Sequence, residues 1–256
     1  MNEFVLAEQT HAAIRAGGWQ VAVLPFGATE PHNLHMPYGT DNFQVEALAR
    51  RACSHAWEKG ARVLLLPTMP FGVNTNHLKI PGAVACSVLP TTLLALITDI
   101  VESLSMQGIR KLVLLNGHGG NELKPLTRQL HHRTDVFLAV CDWFRMAADL
   151  YPKIFAHPGE HADEVETSLG LAYFPDLMKT ELADDGAARP SRFEAINRGW
   201  VSITRPWHLV SENTGMGDPR AATAQKGFQL MEALVPRLGD FLAELAKAEM
   251  GGAFPY

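Results

Sequence analysis

Short, wholly apolar runs alternate with longer amphipathic ones along most of the chain, and this alternation predicts its architecture. Trp19 to Pro25 is a run of Val, Ala and Leu closed by Pro25-Phe26-Gly27, which reads as a buried strand stopped by turn residues. From Asp41 to Trp57 the positions Val45, Leu48, Ala49, Ala52, Cys53 and Ala56 recur at helical spacing. The pair then repeats. Arg62 to Pro67 predicts a second strand, Leu89 to Met106 a helix, Lys111 to Asn116 a third strand, roughly Asn121 to His132 a helix, and Val136 to Val140 a fourth strand. Beyond Asp142 the pattern loosens. Tyr151 to Asp163 reads as a loop over a site, Asp163 to Tyr173 as a helix ended by Pro175, and Trp200 to Ile203 as a strand. Pro219 opens a long helix to about Lys247, with one apolar stripe that includes Phe228, Met231, Leu234, Leu238, Phe241 and Leu242.

Apolar strands between amphipathic helices imply an α/β fold, a three-layer α/β/α sandwich around a mostly parallel central sheet. Ligands of such sheets gather beyond the carboxyl ends of the strands. Glu30 follows the first strand, Asn74 to His77 the second, His118 the third and Trp143 the fourth, so four polar loops are expected to meet at one edge.

Composition narrows the function. With 256 residues, 47% of them hydrophobic, the chain can bury one large core, and a single domain over residues 1–256 is expected. A formal charge of -5 gives no basic footprint for a phosphate backbone, so nucleic acid is not an expected partner. Cys53, Cys86 and Cys141 are too far apart for a zinc ribbon or redox pair; reduced thiols in a cytoplasm are the plainer reading. The start Met1-Asn2-Glu3-Phe4 lacks the basic-then-apolar order of a leader, and no apolar stretch reaches membrane length.

Three clusters carry candidate chemistry. In Glu30 to Asp41, two carboxylates and two imidazoles fall within twelve residues, and such groups ligate divalent transition metals. Glu30 and His32 flank Pro31, which favours an extended backbone, so both side chains can face one pocket. Asp41 stands where the first helix begins and reads equally as a helix cap; its spacing from Glu30 and His32 favours metal. In Asn116 to Asn121, His118 lies among three glycines after a strand, where close approach of a ligand accounts for the pattern better than core packing does. In Glu160 to Ser168, Glu166 borders the apolar helix face, whereas Asp163 and Glu164 read as a solvated acidic helix start. His161, in the preceding loop, is placed for proton transfer. His35 reads as a supporting or surface residue.

With these motifs in hand, the sequence resembles the creatininase (creatinine amidohydrolase) family. Gly27 through Asp41 looks like the family's first motif, Asn116 to Asn121 matches its Asn-Gly-His-Gly-Gly-Asn, and His161 to Ser168 is similar to its third motif, with Asp163 in place of Gly. The resemblance implies two divalent ions, Zn2+ and/or Mn2+. One would be held by Glu30, Asp41 and His118 and the other by His32, Asp41 and Glu166, with Asp41 as the bridge. A shared hydroxide would then attack a carbonyl carbon while His161 moves the proton to the leaving nitrogen. A homo-oligomer, commonly a hexamer in the family, is implied as well.

Departures from the pattern bear on the substrate. Family members that act on creatinine carry Tyr-Glu where this chain has Gly119-Gly120, so Glu166 would have to supply that carboxylate here. They also carry a tryptophan near the position of His157, and another near Trp143 that faces substrate. Asn33-Leu34 stands where Gly-Pro is usual. Asn76, His77, Gly119 and Trp143 are therefore the expected substrate-binding residues. The leading expectation is hydrolysis of a C–N bond in a small amide, cyclic amide or formamide. The alternatives are hydrolysis of an oxidised sugar or cyclitol, and a non-catalytic metal-binding protein.

Overall fold

The computed structural model describes residues 3–256; Met1 and Asn2, the start of the stretch read for a leader, lie outside them. Four strands, β1 (Val21–Phe26), β2 (Val63–Leu65), β3 (Lys111–Asn116) and β4 (Phe137–Asp142), pair in parallel in the order β2-β1-β3-β4. The long helices are α1 (Thr40–Glu58), α2 (Pro90–Met106), α3 (Lys124–Leu130), α4 (Glu164–Tyr173) and α5 (Ala224–Lys247).

Alternation along the strands decides which helix covers which face. Val21, Val23, Val63, Leu65, Val113 and Leu115 pack with α1, α4 and α5. Ala22, Leu24, Phe26, Leu64, Leu112 and Leu114 point the opposite way, onto α2 and α3. Both faces of the sheet are covered, which is why these strands are apolar at nearly every position rather than at every second one, with Lys111, Asn116 and Asp142 only at strand ends. The helices match by burying one stripe each, as α2 does with Leu93, Ile97, Val101 and Leu104. In α5 the buried stripe runs through Leu230, Met231, Leu234, Leu238 and Leu242, while Phe228 and Phe241 sit at its exposed rim. The close approach of α5 to α4 depends on Gly227, where a Cβ would collide with Ser168 O. No helix among the described residues is long and apolar enough to cross a membrane.

Three boundaries differ from expectation. The third helix starts at Lys124, not near Asn121, because Asn121 commits its side chain to the backbone of Val73 and Gly27. The long C-terminal helix starts at Ala224, where Thr223 accepts from Lys226 N at 3.2 Å, with Pro219 left in the preceding turn. Trp200 to Ile203 is not a strand. Trp200 is 73% exposed, and Val201 N–H donates to Ala195 O rather than to a sheet edge.

One buried cation ties the sheet to the last helix. Lys111 opens β3, and its Nζ donates to Leu245 O at 2.7 Å, Ala246 O at 3.2 Å and Ala248 O at 2.5 Å. A cation is favoured there because these carbonyls lack helical partners and carry the negative end of the helix dipole. Lys111→Met should therefore lower unfolding stability by about 1–3 kcal/mol. The check is a lower denaturant midpoint at unchanged slope, and an unshifted midpoint would refute the role.

Candidate active site

The chain crosses from one side of β1 to the other between β2 and β3, so β1 and β3 flank a topological switch point. Glu30 leaves the end of β1 and His118 the end of β3, which puts both over that crevice. The loop between β1 and α1 is closed on itself by Glu30 N–H to Tyr38 O at 3.2 Å, with Thr40 Oγ1 donating to Pro37 O at 2.6 Å. This fold-back carries Asp41 to Glu30. Asp41 is not a helix cap: α1 begins at Thr40, and Asp41 lies inside the first turn with its carboxylate turned toward the crevice.

The carboxylate of Asp41 divides between two imidazoles. Its Oδ1 is 3.1 Å from His32 Nε2 and its Oδ2 is 3.2 Å from His118 Nδ1. Glu30 Oε1 stands 3.2 Å from the same His118 nitrogen, and Glu30 Oε2 stands 2.8 Å from His77 Nδ1. From α4, Glu166 brings Oε2 to 3.9 Å from His32 Nε2 and accepts from Ala162 N at 2.6 Å. His161 donates Nε2–H to Pro31 O at 2.9 Å, which fixes the tautomer and leaves Nδ1 facing Glu30 Oε1 at 3.7 Å. Its ring lies 4.1 Å from that of His32 and 5.0 Å from that of Trp207.

These residues fit divalent metals. Glu30 Oε1 and Asp41 Oδ2 are buried with no hydrogen-bond donor, yet both converge on His118 Nδ1. Orphaned buried oxygens are costly unless a cation completes them. Glu30, Asp41 and His118 form one group with ligand atoms within 4.8 Å of one another; His32, His161 and Glu166 form another, and Glu30, His77 and His161 a third. All are nitrogen and carboxylate donors without thiolate, a set suited to zinc or manganese.

The electrostatics show how strongly the charges interact. Burial acts against the charge on Glu30, but His118, His77 and His161 hold its carboxyl well below the usual range. Burial likewise opposes a charged His32, and the Asp41 carboxylate outweighs it, raising the imidazole to about 10. His118 is raised well above its ordinary value by Glu30 and Asp41, again against burial. Glu166 is pushed up to about 8 by burial, and His161 down to about 3 by burial and the neighbouring His32.

Two cavities open onto the cluster. One, of about 370 Å³, is lined by Asp41, Glu166, Trp143 and Tyr151; the other, of about 680 Å³, by Glu30, Asn76, His77 and Trp207. His118, Gly119, Glu160, His161 and Arg205 line both. All six residues expected as ligands or proton carrier thus come together. Of the expected substrate-binding residues, Asn76, Gly119 and Trp143 line cavity walls, and Trp143 Nε1–H is buried without an acceptor. His77 lines a wall too, but its Nδ1 points at Glu30. Asp163 and Glu164 are buried rather than solvated. Asp163 caps α4, accepting from Glu166 N at 3.0 Å, and Glu164 pairs with Lys226. His35 is buried against Thr167 Oγ1 at 2.8 Å, and His157 is exposed. Glu160 opens the third cluster but carries no expected role, and Arg205 and Trp207 do not stand out in the sequence. The one signal there is the tryptophan itself, in the part of the chain where the pattern loosens.

Comparison with known proteins gives the family. The creatininase family model, described as creatinine amidohydrolase, matches residues 7–242. The chain is 26% identical to the 3-dehydro-scyllo-inosose hydrolase of Thermotoga maritima, over 91% of this chain and 80% of that one. It is 29% identical to the mycofactocin precursor peptide peptidase of Mycobacterium tuberculosis, over 83% of this chain and 80% of that one. A Bacteroides fragilis structure, solved under a provisional creatinine amidohydrolase assignment, superposes with a TM-score of 0.91 at 32% identity, covering 98% of this chain and 99% of that one. Solved creatininases at 26% and 25% identity, with TM-scores of 0.75 and 0.76, include a manganese form and a Zn–Zn form; each covers 96% of this chain and 99% of its own. Fold, buried ligand groups at the switch point and a family match across nearly the whole chain agree: this protein belongs to the creatininase family and is a metal-dependent hydrolase of that family.

Proposed function

We propose that the whole chain works as one two-metal hydrolase domain that cleaves a C–N bond in a small amide, cyclic amide or formamide. The observation that carries this reading is the split of Asp41, one carboxylate oxygen toward His32 and the other toward His118, as a bridging ligand requires. Glu30 and His118 would complete one position with Asp41, and His32 and Glu166 the other. When bound, the two ions supply Lewis acidity for a carbonyl oxygen and acidify water toward neutral pH. The remaining work falls to the protein. His161, fixed through Pro31 O and held neutral by burial, presents the Nδ1 lone pair to the crevice, where it accepts a proton during the reaction and passes it on. Trp143 Nε1–H, buried without an acceptor, is free to hold a substrate oxygen. Gly119, on the wall between the cavities, lets substrate approach the cluster closely. The two cavities argue against a purely structural metal site, which is normally closed and four-coordinate.

A second reading is hydrolysis of an oxidised cyclitol or sugar. It is favoured by the Thermotoga relative and by Thr75, Asn76 and Thr204 on the wall of the larger cavity. Free cysteines suit a reducing cytoplasm, and the exposed Phe71, Leu78, Val84 and Leu89 suit burial in a homo-oligomer, for which six copies is our proposal.

Three measurements test the reading. Metal analysis should find about two zinc or manganese ions per chain, with both lost in Asp41→Ala; a single tightly held ion would sink the two-metal proposal. His161→Ala should keep its metals while turnover of the best substrate in a screen of lactams, cyclic ureas, formamides and keto-sugars falls roughly 10²- to 10⁴-fold. Unchanged turnover would remove His161 from the mechanism. Metal uptake should also release protons. At pH 7 the metal-free site holds protons on His32 (about 10), His118 (raised) and Glu166 (about 8), and ligation requires their removal. Apparent affinity should therefore rise with pH from 6 to 8, read by calorimetry in buffers of different ionisation enthalpy, and a flat profile would contradict the ligand set.

A further inference from the structure

Where the two cavities meet above the ligand cluster, Arg205 is the one lysine or arginine on either wall among the described residues. Its guanidinium lies 5.6 Å from the Trp207 ring centroid, and that ring in turn lies 5.0 Å from both His77 and His161. Trp207 is buried and its ring is tilted against both imidazoles, so the guanidinium lies over a ring held beside the ligand cluster. Nη1 contacts Glu160 Oε2 at 2.7 Å and Met216 Sδ at 3.2 Å. The Nε and Nη2 donors have no protein acceptor among the described residues. Glu160 does not use up the cation: its side chain is 61% exposed and that of Arg205 40%, and an ion pair so open to water contributes little. A surface salt bridge that only tethers two loops would not need the guanidinium to lie over a buried ring at the mouth of both cavities with its Nε–Nη2 edge turned from Glu160. That edge matches the two oxygens of a carboxylate, and lysine cannot reproduce the match.

We infer that Arg205 is a specificity-determining residue that anchors a carboxylate on the substrate, so that the preferred substrates are amides carrying an acid group a short spacer from the scissile carbonyl. This rests on the C–N hydrolase reading for what is cleaved, but not for what is bound. Glu160 tunes the anchor by holding Nη1 and partly offsetting its charge. The acid group sits over Trp207 while the scissile carbonyl reaches the Glu30–Asp41–His118 cluster. Neutral compounds of equal size lack the anchor and bind less tightly, with the chemical step unaffected.

The test uses zinc-loaded full-length protein and matched acid and amide probes: N-formylglycine against N-formylglycinamide, and hydantoin-5-acetic acid against its amide. Turnover and calorimetric binding are both read. Wild type should favour each acid roughly ten- to a hundredfold, the size expected of one hydrogen-bonded charge pair, with the difference in KM rather than kcat. Arg205→Met should abolish the preference by raising KM for the acid probes to that of the amide probes, with the melting temperature and the metal content unchanged. Arg205→Lys, the variant to use should Met perturb folding, should retain only part of it, and Glu160→Gln should increase it. If no probe is hydrolysed but the acids still bind tighter than the amides in an Arg205-dependent way, the anchor stands and the C–N hydrolase reading fails. If acids and amides bind alike, if no probe binds, or if the preference survives in Arg205→Met, the inference is overturned.

Discussion

Burying three carboxylates in one crevice is the constraint around which this molecule is arranged. Glu30 and Asp41 are almost wholly removed from water, and Glu166 lies against His32 beside them. Each charge taken from water costs several kcal/mol after relaxation, a sizeable share of the ~5–15 kcal/mol that holds a typical domain folded. The metal-free site answers with charged His32 and His118 and a protonated Glu166, and even then leaves oxygens of Glu30 and Asp41 without donors. Two divalent cations answer the same charge more completely. The protein's stability and its chemistry are therefore coupled through one set of atoms.

Holding such a cluster open requires rigid walls, and the asparagines of the glycine loop supply them. Asn116 Nδ2 donates to Asp142 Oδ1 at 3.0 Å and its Oδ1 accepts from His118 N at 3.2 Å. Asn121 takes the amide of Val73 at 3.0 Å and gives to Gly27 O at 3.1 Å. These two side chains tie the loops after β1 and β2 to the ends of β3 and β4. On the opposite wall, Ala162 adopts φ of 49°, a left-handed conformation that costs an alanine about 1–2 kcal/mol. That turn aims its N–H at Glu166 and sets His161 over the crevice. Strain at such a place is tolerated because Asp163, capping α4, over-determines the local backbone.

Most of the sheet was legible because strands covered on both faces are apolar at nearly every position, and the four runs stand out from the helices between them. The candidate ligand groups that the structure brings together were legible because acid, imidazole and glycine in short spacing after a strand serve neither a core nor a simple turn. What failed shares a cause. Trp200 to Ile203 is as apolar as a strand but lies in a loop, and only the third dimension shows that no sheet edge is offered to it. Asp163 and Glu164 look like a solvated helix start, and only the approach of Gly159, His157 and Lys226 reveals their burial. Arg205 and Trp207 belong to a segment without periodicity, so nothing local connects them with a centre built from residues 30 to 166 of the chain.

The pair Gly120 and Glu166 shows how one local constraint decides which element can offer a carboxylate to the cluster. A Cβ at residue 120 would press on His118 Nε2 and come within 2.5 Å of Val73 O, so the ring that must face Glu30 and Asp41 leaves that position no side chain. Any carboxylate beside His32 then comes from elsewhere, and the first turn of α4 is the element that brings one there. Glu166 reaches His32 from there only because Ala162 turns left-handed and Asp163 caps the helix from its buried side. The glycine loop and the strained helix start thus depend on each other. Gly120 keeps His118 close to Val73, and the α4 turn supplies the charge the glycine cannot carry.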